Sequence, residues 1–217
     1  MPLSVPMELF RRFMEVRRRQ MFDCVLDCLQ PGPGDSCLEL GGPIRSQSGI
    51  TSSFGRYLVL NIDLESMRRE AAALPHYQKA SLILGDATAI PLQDGSVDFV
   101  VANALLEHIM PPTQRPQFVR EVLRVARKGY FISAPNYWFP LEPHYYMPFF
   151  QFLPESFKRW LSWRVRMGWM YKESYVPVSL PTKRELRRLL PEAHITGLSF
   201  SHTIPETIIA WQRFEQE

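Results

Sequence analysis

Apolar residues recur at helical spacing through residues 7–29. Phe10, Phe13, Met14, Met21, Val25 and Leu29 fall on one side, and Arg17, Arg18 and Arg19 supply a polar face. This predicts a helix, which Pro31-Gly32-Pro33-Gly34 terminates. The period then changes. Short apolar runs follow, each closed by Gly, Asp, Asn or Pro: Ser36–Leu40 entering Gly41-Gly42, Tyr57–Ile62 entering Asp63, Ser81–Leu84 entering Gly85-Asp86, Val97–Val101 ending at Asn103, and Tyr130–Ser133 closed by Pro135. They read as buried strands. Helical spacing returns over residues 65–73 and from about 113 to 127. A short helix is expected over Lys183–Leu190, with Thr182 as its N-cap. Two final strands near 194–201 and 207–214 are close enough in sequence to pair antiparallel.

Strands alternating with helices predict an α/β fold: a doubly wound, mostly parallel sheet with helices on both faces and a C-terminal antiparallel strand pair. We read residues 1–217 as a single domain. It comprises the N-terminal helix 7–29, a core over 35–135, an aromatic-rich insertion over 137–175, and a C-terminal helix and strand pair over 182–217. In such sheets the ligand lies beyond the carboxyl ends of the strands. The residues that matter are therefore those just past each strand.

Composition adds two facts to this picture. The 217 residues are 46% hydrophobic and 22% charged, which excludes a wholly disordered chain. The net charge of +3 is carried by two local patches, one in residues 1–20 and one in residues 158–172, the latter with five basic residues and no acid. That is not the uniform basicity of a nucleic-acid binder, and nucleic acid is not the expected partner. Half of the aromatic residues crowd into 137–175, where Trp160, Trp163 and Trp169 interleave with the second basic patch. Three readings stay open for this segment. It forms a lid over an apolar substrate, a membrane-surface contact, or ordinary core and homodimer contact.

Cys24, Cys28 and Cys37 form no CxxC pair, so neither a disulfide framework nor a zinc ribbon is expected. No run reaches the ~18 apolar residues of a membrane span. The first ten residues do not read as a signal peptide. The expectation is a cytoplasmic protein, at most peripheral to a membrane.

The strand ends carry the candidate chemistry. Glu39-Leu-Gly41-Gly42 closes the first strand with residues that let backbone approach a ligand. Asp63 ends the second, where an acid accepts both hydroxyls of a ribose. Asp86, in Gly85-Asp86-Ala87, ends the third, where a carboxylate meets an adenine amino group. Together they point to an adenosine-containing ligand. The positions after Gly42 are Pro43, Ile44, Arg45 and Ser46, so the G-x-G-x-x-G pyrophosphate loop of dinucleotide sites is missing. A phosphate-free ligand such as S-adenosylmethionine tolerates that loss.

The order Cys37-Leu-Glu-Leu-Gly-Gly42, Asn61-Ile-Asp63, Gly85 through Val101 and Leu105-Leu-Glu-His-Ile109 resembles the class I S-adenosylmethionine-dependent methyltransferases over about residues 35–135. Ser133 through Glu142 looks like a small-molecule branch tied to saccharide or lipid biosynthesis. The resemblance implies a Rossmann-like sheet, S-adenosyl-L-methionine as cofactor, and methyl transfer to a small acceptor that is apolar or linked to a lipid or sugar. It implies that Glu39 holds the methionine end and that Gly41 and Gly42 pass beneath the ligand. Asp63 would bind ribose, Leu64 would pack on adenine, and Asp86 with Ala87 would face the adenine edge. Asn103 would line the pocket near the methionine. Pro43 and Arg45 replace the last two glycines of the family's loop, which keeps a non-catalytic binding or accessory protein open as an alternative.

For proton abstraction from the acceptor, His108 and then His144 are the candidate bases. The plainer readings are that Glu39 and Asp63 cap helices and that His108 merely lines the pocket. His76, His194 and His202 have no partner at metal-ligand spacing, and no metal site is expected. An RNA methyltransferase is a further alternative, motivated by the basic patches.

Overall fold

The computed structural model describes residues 7–42, 50–73, 80–164, 175, 177–199 and 204–215. Helix α1 (Met7–Leu29) turns Met21, Val25 and Leu29 inward at four-residue intervals. Strands β1 (Ser36–Leu40) and β2 (Arg56–Asn61) follow, then α2 (Leu64–Ala73), β3 (Ser81–Leu84) and β4 (Val97–Asn103). Helix α3 (Arg115–Val125) leads directly into β5 (Ala126–Pro135). A hairpin of β6 (Leu141–Glu142) and β7 (Met147–Pro148) precedes α4 (Glu155–Ser162). Helix α5 (Lys183–Leu189), β8 (His194–Leu198) and β9 (Thr207–Arg213) complete the described chain.

The main sheet has the order β3-β2-β1-β4-β5-β9-β8, with β1 to β5 parallel and β9 antiparallel to both neighbours. The chain runs outward from β1 to β3 and then returns to place β4 on the other side of β1. The loops after β1 and β4 therefore diverge, and a crevice opens between them. This is the expected doubly wound sheet with its C-terminal antiparallel pair.

Strand alternation builds two cores. Leu38, Leu40, Leu58, Leu60, Val100 and Ala102 face α3, meeting Phe118, Val122 and Val125. Cys37, Tyr57, Val59, Phe99 and Val101 face the other way, toward Met21, Val25 and Leu29 of α1 and Met67 of α2. Each fully buried Leu or Phe contributes about 1.5–3 kcal/mol, so neither face of the sheet tolerates a slip in register.

Several boundaries differ from expectation. Helix α3 stops at Val125, not near 127, because Arg127 and Lys128 are drawn alongside β4 by Asp98 and Asp35. Strand β5 is correspondingly longer than the apolar run Tyr130–Ser133, since its first residues pair with Val97 across a register shift. Strand β8 ends at Leu198. Thr182 does cap α5, accepting from the Glu185 amide at 3.2 Å. Within the aromatic segment a small third core forms around Tyr145 and Phe150, packed by Met147, Leu153, Leu161, Tyr175 and Val178.

Pro43, Arg45, Ser46 and Ser48, together with His76, Arg166, Trp169, Lys172 and His202, lie outside the described residues, as do the side chains of Phe10, Phe13 and Met14. Among the described residues no helix is long and apolar enough to cross a membrane.

Candidate functional site

The end of β1 brings a carboxylate and bare backbone together. Glu39 is fully buried, and the Tyr57 hydroxyl donates to its Oε2 at 3.1 Å. Gly41 then turns the chain with φ +77°, a region that favours glycine. A Cβ there would stand 2.8 Å from Leu105 Cδ1, and one on Gly42 would stand 2.3 Å from Cδ and Oε1 of Glu39. Both positions thus admit only glycine without displacement. The Gly41 amide donates to the Leu60 carbonyl at 2.9 Å, and Asn61 Nδ2 donates to the Gly42 carbonyl at 2.9 Å. Asn61 therefore pins the glycine turn from the neighbouring strand.

Asp63, Leu64, Asp86, Ala87 and Asn103 gather on the same edge. Asp63 is exposed just past β2, and its Oδ1 accepts the Ser66 amide at 2.9 Å. It therefore does cap α2, as the plainer reading held, while its Oδ2 accepts no hydrogen bond among the described residues. Leu64 is half-buried against the second core. Asp86 is exposed after β3, with Oδ1 accepting the Thr88 amide at 2.7 Å and hydroxyl at 2.8 Å, and Ala87 behind it is buried. Asn103, half-buried at the end of β4, accepts the Ser133 hydroxyl through Oδ1 at 2.5 Å. The eight strand-end positions named from the sequence thus line the carboxyl edge of four adjacent strands, across the crevice between β1 and β4.

A second group lies past β4. Residues Leu106–His108 form a 3-10 turn, and Glu107 within it is fully buried. Among the described residues, neither carboxylate oxygen of Glu107 accepts a hydrogen bond from another residue. Burial pushes its pKa up to about 7, against the opposing pull of His144, its own amide and Arg115. His108 is half-buried, and burial, reinforced by His144, lowers its pKa to about 4. The His144 ring meets that of His108 edge-on, with centroids 5.3 Å apart. Glu142 holds His144 in place. Its Oε1 lies 2.6 Å from Nδ1, and its Oε2 accepts the His144 and Tyr145 amides at 2.8 and 2.7 Å.

Arg115 locks this region to the rest of the fold. It is almost fully buried and donates to the Leu106 carbonyl at 3.1 Å, to Glu185 at 2.6 Å and to the Ser179 carbonyl. The Ser179 amide in turn donates to the Glu107 carbonyl at 3.0 Å. Beside this knot lies a cavity of about 420 Å³, lined by Tyr137, Glu142, Phe150, Lys158, Tyr175 and Val178 among others. The sequence singled out His108 and His144 but gave no role to Glu107, Glu142, Asn61 or Arg115. Only the run Leu105-Leu-Glu-His-Ile109 hinted at Glu107. His194 lies elsewhere, stacked on Trp211 with ring centroids 4.6 Å apart.

Residues 38–133 match a protein-family description that reads "methyltransferase domain". An uncharacterized methyltransferase of Mycolicibacterium vanbaalenii is 33% identical over 89 residues, covering 41% of this chain and 33% of that protein. The chain spans about a third of the length of the curated relatives it matches. A solved S-adenosylmethionine-dependent methyltransferase of Methanosarcina mazei superposes with a TM-score of 0.59 at 18% identity, over 89% of this chain and 98% of that one. The N-methyltransferase NodS of Bradyrhizobium japonicum, solved with S-adenosyl-L-homocysteine, superposes with a TM-score of 0.53 at 13% identity, over 99% of this chain and 90% of that one. These two structures share the fold of this chain.

Proposed function

We propose that this chain, whose residues 38–133 match a methyltransferase domain, is a class I S-adenosylmethionine-dependent methyltransferase that transfers a methyl group from that cofactor to a small acceptor, apolar or linked to a lipid or sugar. One observation carries the reading: Glu39, the bare Gly41–Gly42 turn, Asp63 and Asp86 stand in a row at the ends of β1, β2 and β3.

The residues fit the cofactor. A buried carboxylate at Glu39 suits a cationic amino group, directly or through water. The missing Cβ atoms of Gly41 and Gly42 let the backbone lie against a ligand. The Asp63 oxygen that accepts no hydrogen bond among the described residues would accept from ribose hydroxyls. Asp86 and Ala87 would face the adenine edge, Leu64 would pack on its ring, and Asn103 would line the methionine end. When bound, the cofactor supplies a methyl group already activated on its sulfonium. The protein's remaining task is to place the acceptor atom at about 3–3.5 Å from that methyl.

The cavity beside Glu142 is the acceptor space. Its apolar lining of Met110, Tyr137, Phe150 and Val178 supports an apolar acceptor. His108 is neutral across the physiological range. It accepts a hydrogen bond from the acceptor, but with a pKa near 4 it is a weak base at neutral pH. His144, oriented by Glu142, is the second candidate. The exposed Trp138, Phe149, Phe152, Phe157, Trp160 and Trp163 support delivery of the acceptor from a membrane surface. Arg164 lies 4.3 Å over the Trp160 ring among them, beside Lys158 and Arg159.

The test is turnover of methyl-labelled S-adenosylmethionine against a panel of phenolic, isoprenoid, lipid-linked and free-sugar hydroxyl acceptors. Label transfer to apolar or lipid- or sugar-linked acceptors supports the reading. Transfer only to polar polymers such as RNA, or binding of cofactor without turnover on any acceptor, overturns it in favour of the corresponding alternative.

A further inference from the structure

We propose that Glu107, His108 and His144 are the protein ligands of a first-row divalent cation, with zinc the best match, and that Glu142 orients His144 for it. The site stands on its ligand set alone and holds whether or not methyl transfer occurs; with the cation bound, His108 and His144 ligate it and do not serve as acceptor bases.

The central observation is Glu107. Its side chain is fully buried, and among the described residues neither oxygen accepts a hydrogen bond from another residue. A buried carboxylate in that condition is a standing liability unless something pairs with it. Nε2 of His144 lies 3.7 Å from Oε1 of Glu107, too far for a hydrogen bond. One ligand atom from each of Glu107, His108 and His144 lies within 4.8 Å of the other two. A tetrahedral zinc with bonds of about 2.0–2.1 Å separates its ligand atoms by about 3.4 Å. The gap from 3.7 Å is small, and the remaining closure is within reach of side-chain rotation.

The donor set names the cation class. Two imidazoles and one carboxylate suit zinc and its first-row neighbours, whereas calcium and magnesium prefer all-oxygen sites. Three protein ligands leave a coordination position open, the arrangement of zinc sites that act on a bound molecule. Glu142 supplies the supporting partner such sites use. Its Oε1 takes Nδ1 of His144 at 2.6 Å, so that Nε2 is the ring nitrogen turned toward Glu107, and its other oxygen is fixed by two backbone amides. Glu142 also lines the 420 Å³ cavity, so the cation would stand one side chain from the acceptor space. The sequence did not show this group, because Glu107-His108 and His144 are separated in the chain by α3 and β5 and meet only in the fold.

The test uses the full chain, freed of metal by a chelator and dialysed against Zn²⁺ or Co²⁺ without S-adenosylmethionine. We expect about one equivalent of metal by elemental analysis. The Co²⁺ form should show visible bands of a nitrogen and oxygen site without thiolate charge transfer. Glu107→Gln, nearly isosteric, should lower affinity at least tenfold, and Glu142→Gln should lower it about 10- to 100-fold. A Cys24→Ser/Cys28→Ser variant should bind as the parent does, which separates this site from the thiol pair 4.0 Å apart on α1. No stoichiometric binding at micromolar metal overturns the proposal. So does binding that survives Glu107→Gln and His144→Ala, or a thiolate spectrum.

Discussion

Replacing Asp63 separates two jobs assigned to one carboxylate. Its Oδ1 caps α2 through the Ser66 amide at 2.9 Å, and its Oδ2 is the proposed ribose acceptor. Removing a capping oxygen costs about 1 kcal/mol, which lowers the Tm of a domain of this size by roughly 2–4 °C. Removing a hydrogen bond to a charged acceptor costs about 1.5–3 kcal/mol, which raises Kd by about 10- to 100-fold. Serine caps a helix about as well as aspartate does, but it carries no second oxygen. Asp63→Ala should therefore lose both stability and cofactor affinity, whereas Asp63→Ser should lose affinity with little change in Tm. Thermal unfolding by circular dichroism and calorimetric titration with S-adenosyl-L-homocysteine measure the two effects separately. A serine variant that binds as tightly as the parent refutes the ribose assignment. A serine variant that melts as early as the alanine variant refutes the cap.

Other outcomes follow from the same geometry. Gly42→Ala drives a Cβ to within 2.3 Å of the buried Glu39 carboxyl; it should destabilise the fold by about 1–3 kcal/mol and weaken cofactor binding, read by urea unfolding and titration. Arg115→Met removes the group that joins Leu106, Ser179 and Glu185; leaving those partners unpaired should cost about 3–5 kcal/mol in urea unfolding. Burial alone would raise the pKa of Asp98, but hydrogen bonds from Ser36, Arg127 and Lys128 hold it well below the usual carboxylate range. The native carboxyl thus binds its proton more weakly than the unfolded one. Its contribution is complete above the unfolded pKa and is lost as pH falls through the folded one. Asp98→Asn should be less stable at neutral pH and should lose less stability on acidification, as compared by urea midpoints at neutral pH and near pH 3.

Much of the strand framework was legible because each buried run is punctuated by glycine, proline or a polar residue at the point where it leaves the sheet. Cys37–Gly42 and Tyr57–Asp63 announce both the strand and the crevice in a few residues. Asp63 shows the limit of such reading. Its spacing suits a cap and a ribose contact equally, and the structure shows the cap in place with one oxygen to spare. The start of β5 was not legible, because Arg127 and Lys128 break the apolar pattern and only their ion pairs with Asp98 and Asp35 reveal why they lie in a strand. Arg115 reads as a surface residue at the start of a helix, and its burial depends on the Ser179 carbonyl and the Glu185 carboxylate, both more than sixty residues away in sequence. Asn61 is similar, since its hold on Gly42 exists only once β1 and β2 pair. Residues whose roles depend on chain crossings leave little mark on local pattern.

The central claim is that the ends of β1, β2 and β3 form a site for S-adenosylmethionine. Calorimetric titration of the purified chain with S-adenosyl-L-methionine and S-adenosyl-L-homocysteine, with NAD as control, tests it most directly. The account predicts saturable binding of the first two at one site in the micromolar range and none of NAD. Absence of binding at millimolar ligand, or preference for NAD, would contradict it.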